Sequence, residues 1–176
     1  MICLLWGVVF GCFLWASVMD YRTCRVYNFL WWIAGSAVLL ILLLSQAGAG
    51  TTAKGLWACM FDGDLWMKLL RLPGFVDMLL FWLLQLKLFS RMYGRADCYA
   101  FGVSGMLIFT LGYGLKLCLV HMLLAIGLLG VVQAFRRNIG KDGNLKHPVA
   151  FVPYISFSLW ILLVPLSSFW YDVSVS

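Results

Sequence analysis

The sequence predicts an all-α protein threaded through a lipid bilayer by about six transmembrane helices, with one amphipathic interfacial segment, in a single domain spanning residues 1–176. Three observations carry that expectation. Hydrophobic residues make up 64% of the chain, charged residues only 11%, and the mean hydropathy is +0.95; a soluble domain carries about 25% charged residues. Charge-free runs at 1–19, 29–53, 98–115, 117–135 and 148–171 each reach or exceed the roughly 18 residues that carry a helix across about 30 Å of hydrocarbon. A sixth, 73–90, is interrupted only by Asp77 near one end and Lys87 near the other.

The third observation is where the charge lies. The net charge is +6, but the basic residues are scattered over short loops and form no nucleic-acid-binding patch. Placing the N-terminus outside puts Arg22, Arg25, Lys87, Arg91, Arg95, Arg136, Arg137, Lys141 and Lys146 on the inner side, against Lys54, Lys68, Arg71 and Lys116 outside. Cationic loops stay in the cytoplasm, so this orientation is expected and its inverse is not. The location it implies is the inner (cytoplasmic) membrane.

The first helix runs to about Met19 and delivers Asp20 at its inner end. It has no basic n-region, so it reads as a span and not as a cleaved signal. The second starts near Phe29, with Trp31 and Trp32 where an interfacial aromatic belt is expected. Residues 54–72 mix Leu56, Trp57, Leu65 and Trp66 with Asp62, Asp64, Lys68 and Arg71, the pattern of a helix lying on the outer surface. Pro73-Gly74 breaks the chain before the third helix, which descends to a basic loop ending in Asp97. Ala96, Ala100 and Ser104 form a small-residue stripe on the fourth helix, which lets a neighbour come close. The turn Gly112-Tyr113-Gly114 leads to the fifth helix, where His121 reads as a packing or interfacial histidine. A polar loop, 136–147, precedes the sixth. The six cysteines include no C-x-x-C pair and read as small apolar fillers, so neither a metal site nor a disulfide framework is expected.

Two carboxylates stand out, Asp20 and Asp97, both on the inner side. Acid residues at membrane depth are costly and tend to be functional. Two close together share one proton, because like charges cannot both ionise cheaply. The ionised one then draws a proton from water while the protonated one donates to a carbonyl oxygen, the chemistry of an aspartic peptidase.

The flanking residues resemble the type IV prepilin peptidases, intramembrane aspartic peptidases with a G-x-G-D motif. Asp20 ends its helix and is followed by six residues and then Tyr27-Asn28, with Arg22 and Arg25 in matching places, where the family has Pro-Asn. The second string is Gly94-Arg95-Ala96-Asp97-Cys98-Tyr99, similar to Gly-x-Gly-Asp-x-Lys. The stretch 148–154 is similar to the family's proline-rich approach to its last helix. Tyr27, Ala96 and Tyr99 depart from the pattern, and alanine in place of glycine restricts positive φ.

The resemblance implies a compact, peptidase-only form, since the cysteine-paired insert and methyltransferase function of larger members have no counterpart here. It implies cleavage of the short basic leader of prepilin-like substrates at the cytoplasmic face, with Asp20 and Asp97 catalytic and no metal or organic cofactor. Asn28, Arg22 and Arg25 would contact substrate or shape the site, and Gly94 and Ala96 would form the turn presenting Asp97. The alternatives are an inactive relative scaffolding a pilus or secretion assembly, or a small proton-coupled transporter. A transporter favours midplane carboxylates, broken helices or repeats, and none is evident in the sequence.

Overall fold

Apolar residues that cannot all be buried inside a single small bundle dictate this architecture: a tight interior surrounded by an apolar exterior. The computed structural model describes residues 2–47, 75–92, 94–111, 113–139 and 149–175, all of it helix and short connections, with no strand among them. In chain order the helices are α1 (Ile2–Thr23), α2 (Asn28–Ala47), α3 (Phe75–Lys87), α4 (Arg95–Thr110), α5 (Leu115–Ile139) and α6 (Val152–Val175), with a 3₁₀ turn at Phe89–Arg91. The loop expected from 136 starts later, because α5 stays helical to Ile139; the rest of that loop, the amphipathic segment expected over 54–72 and Gly112 lie outside the described residues.

The helix ends differ from the sequence expectation in a way that matters for both carboxylates. α1 continues past Met19 to Thr23, so Asp20 sits inside its last turn. Cys24 then adopts a left-handed conformation (φ 50°) and donates its N–H to the Asp20 carbonyl at 2.8 Å, closing the helix. Glycine is the usual residue there, and cysteine costs on the order of 1 kcal/mol in its place. α4 begins at Arg95, three residues before the charge-free run, so Asp97 falls in its first turn.

α4 is the central helix, in contact with α2, α3, α5 and α6, while α1 packs on α2 and α6. Ala100, Phe101, Val103, Leu107 and Ile108 bury α4 against Val9, Phe13 and Ala16 of α1, Ala34 and Val38 of α2, and Ile155 and Leu159 of α6 in one apolar core. α3 seats two aromatic rings in glycine notches of α4. A Cβ at Gly102 would lie 2.7 Å from the Trp82 indole nitrogen, and one at Gly105 would lie 2.6 Å from the Phe81 ring. Both glycines are required by close approach and not by backbone angle.

Two helices, Leu4–Thr23 and Leu115–Phe135, are long and apolar enough to cross a membrane, and Asn28–Leu44 and Val152–Leu163 are shorter apolar helices. The outer faces carry Leu14, Trp15, Leu83, Leu123, Val131 and Phe135 well exposed, an apolar surface that suits lipid and not water. The expected tryptophan belt is divided. Trp32 is 78% exposed, but Trp31 is only 3% exposed and packs edge-on against Phe13, with ring centroids 5.3 Å apart. Cys12, Cys98 and Cys118 are buried fillers, as their apolar surroundings led one to expect.

Gly105→Ala forces the Phe81 ring to move and is expected to destabilise the bundle by about 1–3 kcal/mol, read as a lower denaturation midpoint in detergent. The same change at Gly127, where nothing lies within 4 Å of the new Cβ, is expected to leave the midpoint unchanged or slightly raised.

Candidate active site

α1 ends at the end of the bundle where α2, α4 and α6 begin, and this antiparallel arrangement brings Asp20 and Asp97 to the same end. Asp20, 7% exposed, places its carboxylate over the first turn of α6, where the Val152 N–H donates to Asp20 Oδ2 at 2.9 Å. The Phe151 backbone adds a second hydrogen bond to the same carboxylate. Helix N-termini leave backbone N–H groups without partners and carry partial positive charge, so a carboxylate is favoured there. Asp20 thus caps a helix other than its own. A second polar contact lies one turn deeper, where Ser17 Oγ is 2.8 Å from Ser156 Oγ.

Asp97 is positioned by its own helix. Gly94 is the N-cap of α4 and donates its N–H to Asp97 Oδ2 at 3.1 Å, while the Asp97 N–H donates to the Gly94 carbonyl at 3.1 Å. Glycine has no side chain, so the backbone carbonyl completes this reciprocal cap. Gly94 has φ −63° and ψ 154°, angles open to any residue. Its value is steric: a Cβ there would stand 3.2 Å from Asp97 Oδ2.

Asp97 is half-buried in the polar turn ahead of the apolar run of α4. Burial first, and the negative charge of Asp20 second, push its carboxyl up to about 6, against the lowering effect of the Gly94 N–H. The two carboxylates therefore feel one another, which a shared-proton pair requires.

The remaining expected site residues divide. Gly94 and Ala96 are at the site. Ala96 lies in the helical first turn of α4, and the described residue other than glycine with positive φ is Cys24, so alanine brings no backbone strain. Arg22 in the last turn of α1 and Arg25 just beyond it are exposed. Asn28, the first residue of α2, does not join the carboxylates in any hydrogen bond found here. It lines a cleft of about 410 Å³ between α2, α3 and α4, together with Trp31, Trp32, Trp82, Tyr99 and Met106. The indole nitrogens of Trp31 and Trp82 are buried without a hydrogen-bond partner. Among the described residues, no three of His, Cys, Asp and Glu converge as metal ligands would. Two features were missed from sequence: the Val152 N–H, which has no side-chain signature, and the serine partners of His121, which of its two expected roles takes the packing one, wholly buried between Ser104 and Ser158.

Comparison of the chain with protein-family models, curated proteins and solved structures gives no match in any of the three.

Asp20→Ala strips the α6 N-terminus of its cap and is expected to cost about 1–3 kcal/mol. Asp20→Asn keeps an acceptor oxygen and is expected to cost less than half as much, measured as unfolding in detergent. Asp97 supplies a pH test. Its proton is held more tightly folded than unfolded, so stability is expected to fall as pH rises from its ordinary value of 3.8 through about 6. Asp97→Asn removes that slope and is expected to be the more stable protein at pH 7, by on the order of 1 kcal/mol after allowance for solvent screening.

Proposed function

We propose that this protein is a membrane-embedded aspartic endopeptidase that removes the short basic leader of prepilin-like substrates at the cytoplasmic face, with Asp20 and Asp97 as the catalytic pair. The observation carrying the proposal is the placement of two acids at one end of the bundle, Asp20 in the last turn of α1 held by the Val152 N–H and Asp97 in the first turn of α4 held by the Gly94 N–H, near enough that the charge of Asp20 helps burial to raise the Asp97 carboxyl. These residues come from distant parts of the chain, and the ends of α1 and α4 carry them to the same end of the bundle, within reach of each other's charge. A solvated pair of helix-end acids would have no reason to interact.

In this reading the ionised carboxylate takes a proton from a water molecule, and the resulting hydroxide attacks the scissile carbonyl carbon. The protonated carboxyl donates to the carbonyl oxygen. Collapse of the tetrahedral intermediate breaks the C–N bond, and the departing amine takes up a proton from the pair. The pair titrates as a unit, so acid and base are roles of the pair. Gly94 keeps Asp97 unobstructed, and the exposed Arg22 and Arg25 stand at the cytoplasmic surface, where headgroups or an acidic substrate residue would meet them. The substrate's own hydrophobic helix docks beside the active-site helices, and the apolar cleft bordered by Asn28 and Tyr99 offers it a surface on α4, the helix that carries Asp97. The chain spans the inner membrane with about six helices, its N-terminus outside.

The deciding experiment is cleavage of a candidate prepilin-like protein in membranes, comparing wild type with Asp20→Asn and Asp97→Asn at equal expression. Each substitution is expected to lower the rate by roughly a thousandfold, within the range that acid–base catalysis supplies. Wild-type cleavage is expected to decline as pH rises through about 6, where the pair loses its shared proton. Cleavage that persists in either variant removes the catalytic assignment. A wild type that cuts no prepilin-like protein leaves an inactive scaffold of a pilus or secretion assembly as the better account.

A further inference from the structure

A second buried polar cluster lies deeper in the bundle. His121 of α5 is fully buried, with Nε2 3.0 Å from Ser104 Oγ on α4 and Nδ1 2.8 Å from Ser158 Oγ on α6. Both serines are also fully buried. Each hydroxyl reaches a carbonyl of its own helix, Ser104 to Phe101 at 3.1 Å and Ser158 to Ile155 at 2.9 Å.

The hydrogens can be counted. A neutral imidazole carries one N–H and one lone pair. One serine therefore accepts from the ring and keeps its own O–H on its helix carbonyl, while the other turns its O–H onto the ring. Either tautomer leaves both ring nitrogens and both hydroxyls satisfied. A fully satisfied buried network fixes the relative placement of the elements that contribute to it, because any slip orphans a polar group.

Those elements are the ones that carry the carboxylates. Ser104 lies about two turns, or roughly 10 Å, along α4 from Asp97, and Ser158 lies somewhat less than two turns along α6 from Val152. The Val152 N–H holds Asp20. Phe101 occupies the layer between, with its ring edge-on to both His121 and Phe151 at centroid distances of 5.7 Å.

We propose that His121 is a positioning residue for the carboxylate pair: by bridging Ser104 and Ser158 it fixes α4 against α6 and so sets the separation of Asp97 from Asp20. The proposal rests on Asp20 and Asp97 being the working pair, and it adds a residue that touches neither.

The test is His121→Phe, which keeps the ring volume and the contact with Phe101 and lets both serines fall back on their own helix carbonyls, so no hydroxyl is orphaned. The first readout needs no substrate. Infrared difference spectra in membranes follow the protonated Asp97 carboxyl against pH, its band assigned by its disappearance in Asp97→Asn. The charged group acting on it is Asp20 in the last turn of α1, which itself takes the Val152 N–H at the start of α6; Arg22, two residues beyond Asp20, and Arg95, two before Asp97, are exposed. If the clamp sets the spacing, His121→Phe lets Asp20 recede and the Asp97 midpoint drops by roughly half a pH unit or more. The second readout is cleavage, where kcat is expected to fall about tenfold with KM within twofold.

An unchanged midpoint in a folded His121→Phe protein overturns the positioning role, whatever happens to cleavage. A lowered midpoint in a protein whose wild type cuts nothing supports the clamp and rejects the peptidase. Should His121→Phe fail to accumulate, Ser158→Ala removes one arm only and carries the same test with the same expected direction.

Discussion

The contact on which the rest of this structure depends is the hydrogen bond from the α6 N-terminus to the Asp20 carboxylate. Each partner answers the other's deficit. A carboxylate at 7% exposure needs donors to be tolerable, and a helix start buried in a bundle needs an acceptor for its first N–H groups. Joining them draws α1 onto α6, and the Ser17–Ser156 contact one turn deeper continues the same seam. With α6 held at this end, α4 packs against it, and its first turn brings Asp97 within electrostatic reach of Asp20.

The two acids are held by different means. Asp20 depends on tertiary structure, because its partner belongs to another helix. Asp97 depends on a local cap with Gly94, which any α4 that starts at Arg95 can form. The fold therefore tolerates Asp97 at a cost in desolvation and like-charge repulsion, while it uses Asp20 as a joint. This division accords with the general tendency of perturbed acids to collect where function and stability compete.

Much of the bundle was legible in the sequence because bilayer-length apolar runs speak directly to helices. All six described helices overlap those runs, although two pass the length and composition test for crossing a membrane. The carboxylates were legible because acids are conspicuous in an apolar chain. The turn around Ala96 was read as a position restricting positive φ, yet helix α4 starts before it and takes ordinary helical angles there. The tryptophan pair was read as one belt, but adjacent helical positions point about 100° apart, so Trp31 entered the core while Trp32 stayed outside. Ser104, His121 and Ser158 could not be grouped at all. They lie on three helices with no fixed spacing, and only packing brings them together. The Val152 N–H, common to every non-proline residue, is silent in any sequence.

The Asp20–Val152 bond also has a history during synthesis. Its partners stand 132 positions apart, so the ribosome completes α1 long before α6 exists. Until then Asp20 must keep its hydration at the membrane surface or borrow donors from elsewhere, and α1 has no reason to settle at its final depth. The first described helix thus waits for the last, and the carboxylate pair comes into being only once α6 is in place. A half-made chain holds both acids but not the architecture that couples them, so whatever the pair does in the finished protein it cannot do during synthesis.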